Sequence, residues 1–196
     1  MTRVDPATLD QLLLAARSHK MFSSRAVTEA KLRELYELAK YAPTSMNCCP
    51  MRVVFVTSEE EKAKVVSAVV PPNAPKTESA PVTAIVAYDL EFHERLSTLA
   101  PHVPDPSPFT SMPESVRAAH ALRNSSLQGA FLMVAARAVG LDCGPMSGFD
   151  HERIDELFFA GTAYRSNFLL NLGYGTGEGL HELRPRLDFD DACRIV

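Results

Sequence analysis

Val82-Thr83-Ala84-Ile85-Val86-Ala87-Tyr88 is the stretch on which the fold turns. Its β-branched and small residues suit a pleated strand, and it is apolar on both faces. A strand with one wet face alternates apolar and polar residues; one that does not alternate is covered on both sides. The expectation is therefore a sheet with helices above and below it. Upstream, Arg52-Val53-Val54-Phe55-Val56-Thr57 reads as another strand, and downstream Asn167-Phe168-Leu169-Leu170-Asn171-Leu172-Gly173-Tyr174 as a third.

The intervening segments carry helix starts. Asp5-Pro6 joins an N-cap to a proline at the first helical position. It predicts a helix through about residue 17, with Leu9, Leu12, Leu13 and Ala16 on one face. Thr28 caps a second helix, striped by Leu32, Leu35, Leu38 and Ala39 and closed by Pro43. Ser58-Glu59-Glu60-Glu61 has the form of a capping box. Ser111 with Glu114 predicts a long helix through about Val139. Its centre, Gly129 to Ala138, is apolar nearly all round, so it is buried in the core or against another subunit. Asp150 caps a further helix. Pro71-Pro72-Asn73-Ala74-Pro75 reads as a loop. Pro101, Pro104, Pro106, Pro108 and Pro113 mark a stiff excursion that suits a lid or rim.

At 196 residues the chain suits a single domain, 1–196, with a sizeable core. Its 46% hydrophobic and 22% charged content is that of a globular protein. A net charge of −4 with no long basic run argues against nucleic acid or an anionic membrane as the main partner. No signal peptide is visible after Met1, and the most apolar stretch, Ala130 to Leu141, is too short to span a bilayer and is broken by Arg137. A cytoplasmic location is the expectation. The cysteines Cys48, Cys49, Cys143 and Cys193 form no CxxC pair, so no metal site is expected and free thiols are. No GxxxxGK[ST] loop and no G-x-S-x-G elbow is present; Gly173-Tyr174-Gly175-Thr176-Gly177 reads as a strand running into a turn.

Three segments could bind a ligand. Arg17-Ser18-His19-Lys20 could hold a phosphate through charge-assisted hydrogen bonds, although basic residues also suit a bare helix C-terminus. Ala42-Pro43-Thr44-Ser45-Met46-Asn47-Cys48-Cys49-Pro50 is a polar loop that is either a contact or an ordinary connection. Gly144-Pro145-Met146-Ser147-Gly148-Phe149-Asp150 is a turn that could present backbone N–H groups, or simply cap a helix.

The order of these segments resembles the nitroreductase family of FMN enzymes. The likeness is carried by Ala42–Cys48, Ala80–Ala87, Arg123-Asn124-Ser125-Ser126-Leu127-Gln128, Gly140–Asp150 and Phe158-Phe159-Ala160-Gly161, and runs from about residue 15 to the C-terminus. The closer resemblance is to the subgroup of malonic semialdehyde reductases of pyrimidine catabolism. It implies an α+β fold: a three-layer α/β/α arrangement with a mainly antiparallel central sheet, in an intertwined homodimer. It implies bound FMN, with NADH or NADPH as cosubstrate. Arg17, Ser18, His19 and Lys20 would hold the FMN phosphate together with Arg184 and Arg186. Pro43, Thr44, Ser45 and Asn47 would reach the flavin from the partner subunit. Asn73 and Lys76 would contact the pyrimidine side of the ring, where an ammonium offsets the charge of hydride transfer. Pro145, Met146, Ser147 and Gly148 would line it, with the Ser147 and Gly148 N–H groups toward N5 and O4. Lys76, Ser147 and Gly148 are thus the expected catalytic residues. The implied reaction reduces malonic semialdehyde to 3-hydroxypropanoate through flavin N5. The alternatives are a broad nitro or quinone reductase and a flavin-binding protein without turnover. Arg123 and His102 are the candidate partners for a substrate carboxylate.

Overall fold

The computed structural model describes residues 2–102 and 105–196. Met1 and Pro104, both used in the reading above, lie outside them. Four strands form one sheet: β1 (Met51–Val56), β2 (Val82–Asp89), β3 (Asp142–Met146) and β4 (Tyr164–Gly173). Their order is β1-β2-β4-β3, and each neighbouring pair is antiparallel. The helices are α1 (Pro6–Leu9), α2 (Glu29–Ala39), α3 (Glu59–Ala68), α4 (Ala74–Ser79), α5 (Leu96–Leu99), α6 (Ser107–Thr110), α7 (Glu114–Ala138), α8 (His151–Phe158) and α9 (Phe189–Ala192).

The double-faced strand does what its composition implies. Val82, Ala84 and Val86 of β2 join Leu170 and Leu172 of β4 in a core with Leu35 of α2 and Leu132 of α7. Ile85 and Ala87 join Leu169 in a second core with Val65 of α3 and Ile154 of α8. Period-two alternation thus distributes one apolar strand between two helical layers. A third core, with Cys48, Phe92, Leu96, Phe109 and Ala121, closes one end. The buried Phe109 anchors the proline-rich excursion there.

The structure corrects four local expectations. The first helix continues from α1 as a π-helical turn, Asp10–Leu14, and stops before residue 17 because the chain leaves to run beside β3, where Ser18 bridges to Cys143. Pro71–Pro75 is helical: a 3₁₀ turn, Pro71–Asn73, leads into α4. Its prolines occupy first-turn positions, where a missing N–H loses nothing. Ser111 does not cap α7; Pro113 holds that position without a side-chain cap, and the Ser111 hydroxyl donates to the Ser107 carbonyl at 2.8 Å. Gly144, Pro145 and Met146 belong to β3 and not to a turn; β3 is an edge strand, the place in a sheet that tolerates proline.

Two surfaces remain uncovered. Leu127 and Phe131, one turn apart on α7, are 48% and 44% exposed. Every residue from His181 to Val196 is exposed. No helix among the described residues is long and apolar enough to cross a membrane.

Candidate functional site

Three groups of residues carry the site. The first is a cavity of about 410 Å³ lined by Arg17, Ser18, Arg137, Arg184 and Arg186. They come from distant places: the strand-like run after the first helix, the last turn of α7, and the C-terminal tail. The Arg17 guanidinium donates to the His181 carbonyl at 2.7 Å, that of Arg137 to Leu12 O at 2.9 Å, and that of Arg186 to Arg184 O at 2.8 Å. These acceptors are all uncharged. None of the four guanidinium groups forms an ion pair among the described residues. Glu182 also lines the cavity but pairs with none of them, so four guanidinium groups face one carboxylate, an excess of positive charge suited to an oxyanion with several acceptor oxygens.

The structure therefore brings Arg17 and Ser18 to Arg184 and Arg186, as expected. It adds Arg137, which the sequence reading missed as a ligand-facing residue. The available signal was a lone arginine interrupting an otherwise apolar helix end. Lys20 sits beside this group, its ammonium 2.8 Å from His181 Nε2. His19 behaves differently. Its backbone N–H donates to Cys143 O at 2.8 Å, and its Nε2 lies 3.2 Å from Asp142 Oδ1. Asp142 Oδ2 in turn accepts the Gly175 N–H at 2.8 Å. A Cβ on Gly175 would fall 1.8 Å from His19 Nδ1. The imidazole is thus fixed against the sheet edge, and holds the segment rather than lining the cationic cavity.

The second group joins Asn73, Lys76 and the Ser147-Gly148 backbone. Lys76 Nζ donates to Asn73 Oδ1 at 2.8 Å, and Asn73 Nδ2 donates to Gly148 O at 3.0 Å. The Val70 N–H donates to the same carbonyl at 3.0 Å. A Cβ at Gly148 would lie 2.9 Å from both Asn73 Nδ2 and a Val70 methyl. A larger residue there would displace the Asn73 amide or the Val70 side chain, so the chain's own packing favours glycine. Among the described residues, neither the Ser147 nor the Gly148 N–H donates to a protein acceptor. Ser147 and Pro145 are exposed, and Met146 is buried with its sulfur 3.9 Å from Asn171 Nδ2.

The third group is the Pro43–Asn47 loop. Met46, Asn47 and Cys49 all take positive φ. Ser45 N–H donates to Asn124 Oδ1 at 2.8 Å, Asn47 Nδ2 to Leu99 O at 2.7 Å, and Cys49 N–H to Thr44 Oγ1 at 3.2 Å. Pro43, Ser45 and Asn47 are nonetheless exposed, while Thr44 is half-buried. This loop lies at the wrong end of its own sheet to meet the other two groups. It leads into Met51, which pairs with Tyr88, whereas Thr83 and Asn171 pair beside Lys76. From Thr83 to Tyr88 the strand runs roughly 17 Å.

Cys48 is fully buried, which suits a structural thiol. Burial pushes its thiol up to about 11, and the nearby His120, 3.7 Å from the sulfur, is held below its ordinary value by burial and by Arg123. Arg123 and His102 are exposed. A separate cavity of about 770 Å³ lies elsewhere, between α2 and the outer strand β1. It holds none of the expected site residues.

The sequence profile of the nitroreductase family matches residues 13–174. A protein of Stenotrophomonas maltophilia named "Putative NADH dehydrogenase/NAD(P)H nitroreductase" is 53% identical over 193 residues, covering 98% of both chains. Among solved structures, a nitroreductase-like protein of Bacillus subtilis superposes with a TM-score of 0.89 at 21% identity, covering 98% of this chain and 100% of its own. One from Exiguobacterium sibiricum, described as a complex with FMN, superposes at 0.87 and 21% identity over 100% of both. The fold is theirs, and the chain belongs to the nitroreductase family.

Proposed function

We propose that the protein is an FMN-dependent NAD(P)H oxidoreductase, acting as a homodimer, whose acceptor is a small electrophile. Malonic semialdehyde is the first acceptor to test. The observation that carries the reading is the cavity in which Arg17, Arg137, Arg184 and Arg186 stand without a carboxylate partner. The residues fit a phosphorylated flavin: guanidinium groups for the phosphate, and an ammonium with two free N–H groups for the electron-rich edge of a ring. FMN, when bound, supplies hydride acceptance from NAD(P)H and hydride donation to the acceptor at one atom, N5.

The chain's own contribution is electrostatic. Lys76, oriented by Asn73, holds positive charge where hydride transfer builds negative charge. Ser147 and Gly148 offer backbone donors with no side-chain proton transfer. Arg17, Arg184 and Arg186 anchor the far end, so the reactive end is held in one register. The Pro43–Asn47 loop completes the site of the partner, since it cannot reach its own. Malonic semialdehyde is supported by the segments that resemble the corresponding reductases. A broad nitroreductase is supported by relatives that carry that name, such as the Stenotrophomonas protein, and a quinone is a further acceptor for such an open site.

The test is direct. The purified protein should be yellow, and NADH or NADPH should bleach it without oxygen. Reoxidation rates with malonic semialdehyde, a quinone and a nitroarene then rank the acceptors; fastest reoxidation by the aldehyde supports the reductase. Colourless protein that refuses added FMN sinks the proposal, and yellow protein that no nicotinamide bleaches makes it a carrier. Arg186→Ala weakens FMN retention by roughly 1.5–3 kcal/mol, the value of a charge-assisted hydrogen bond.

A further inference from the structure

Within the sheet's two apolar faces, one buried polar pair lies at the end nearest Lys76, apart from the Asp89 and Ser166 contacts at the opposite end. Thr83 of β2 and Asn171 of β4 are directly opposed in the ladder, and both are fully buried. They share the face of Ile85 and Leu169, at the end where α4 replaces the apolar cover. Buried polar groups persist in such a position only when they are bonded, and these are. The Thr83 hydroxyl donates to Asn171 Oδ1 at 2.7 Å, and Asn171 Nδ2 donates to the Lys76 carbonyl at 3.0 Å. That carbonyl lies among the last four of α4, which lack a backbone N–H partner in the helix; it also accepts the Ser79 hydroxyl at 3.1 Å, so the Asn171 amide is its second donor and the one that ties it to the sheet. The Thr83 bond sets which way the amide points, and the amide holds the helix end that carries Lys76.

From Lys76 the chain of bonds continues outward: Nζ to Asn73 Oδ1, and Asn73 Nδ2 to Gly148 O. Two short runs of hydrogen bonds, one ending on the Lys76 carbonyl and one starting at its ammonium, are thus joined through Lys76 itself and link the sheet interior to the backbone beside the free Ser147 and Gly148 N–H groups. We infer that Asn171 and Thr83 are positioning residues that set the Lys76 ammonium, and through Asn73 the Ser147-Gly148 backbone, against the electron-accepting edge of the bound cofactor. This rests on the proposed flavin function, but its first step concerns Lys76 in the protein alone.

Two measurements separate the two claims. In the flavin-free protein, Lys76 is acetylated by limiting acetic anhydride and followed by peptide mass spectrometry against Lys31 as internal reference. Thr83→Val, which keeps the volume and removes the hydroxyl, and Asn171→Leu each raise the relative rate about fivefold, the factor of one net hydrogen bond. Thr83→Ser, which keeps the hydroxyl, retains the slow rate. In the FMN-loaded protein, the midpoint potential of Thr83→Val and Asn171→Leu becomes more negative, in the direction of Lys76→Met, and combining either with Lys76→Met adds no further shift. Lower thermal stability with unchanged labelling and unchanged potential overturns the inference. Faster labelling with an unchanged potential also overturns it, because Lys76 is then held for the fold alone. If the wild type takes up no flavin, the proposed function fails and the labelling still decides whether Asn171 positions Lys76.

Discussion

At the scale of single residues, His19 illustrates how sequence adjacency and spatial role diverge. It stands between Ser18 and Lys20 in a basic run, yet its ring is turned to Asp142 and covers Gly175. Its contribution to anion binding is indirect: it pins the segment that presents Arg17. With Asp142 partly solvent-exposed, that pin is worth roughly 1 kcal/mol. His19→Ala should therefore raise the FMN dissociation constant about fivefold, measured by quenching of flavin fluorescence. Gly175→Ala should raise it more, since the imidazole must leave its place. Equal affinity in both variants would show that the segment holds itself. The buried thiols are simpler. Cys48 and Cys143, pushed up to about 11 and about 12 by burial, stay neutral through the physiological range. Because their folded values exceed the ordinary 9.0, the stability they support is whole below that pH and is lost as pH rises above it.

At the scale of elements, legibility followed local chemistry. Asp5, Thr28, Ser58 and Asp150 were readable as N-caps, and each accepts the N–H three residues on, at 3.0, 3.2, 3.3 and 3.0 Å. Strands β1, β2 and β4 were readable because β-branched runs have few other uses. Two of the four misreadings share one cause. Gly144-Pro145 and Pro71–Pro75 carry residues whose local preference is for turns, and tertiary position overrode it: an open sheet edge for Pro145, helix first turns for Pro71 and Pro75. The polar pair Thr83 and Asn171 was invisible as a pair, because register is not written in either strand alone. Asp150 has a particular weight among the caps. Its own N–H donates to Ala68 O at 2.7 Å, tying the α8 start to the end of α3 just after Gly148. Asp150→Ala should cost about 1 kcal/mol. In a domain of this size that lowers Tm by about 2–4 °C, read by calorimetry. An unchanged Tm would mean that the packing of Ile154 alone sets the helix start.

At the scale of the whole molecule, the unfinished surfaces belong together. Leu127 and Phe131 face outward on α7, whose apolar centre was expected to lie in the core or against another subunit, and the Ser45–Asn47 corner stands at the far end of the sheet from Lys76. A second copy would cover the first and bring the second to a site. Phe131→Glu should therefore convert a dimer to a monomer in light scattering and lose most bound FMN in the same step. A monomer that keeps the flavin as tightly as the wild type would show that each chain builds its site alone. The phosphate half of the site was legible only as two basic segments; that they and Arg137 converge depends on the tail from His181 onward folding back, which no local pattern specifies.

The four clustered guanidinium groups have a consequence for the protein before any cofactor arrives. Like charges held in one cavity repel, and with only Glu182 there to offset them a small oxyanion would stabilise the flavin-free chain. Inorganic phosphate or sulfate then acts as a stabilising ligand by mass action, to the extent RT ln(1 + [L]/Kd). The choice of buffer salt becomes a thermodynamic variable, and a flavin affinity measured in phosphate is an exchange constant between two anions.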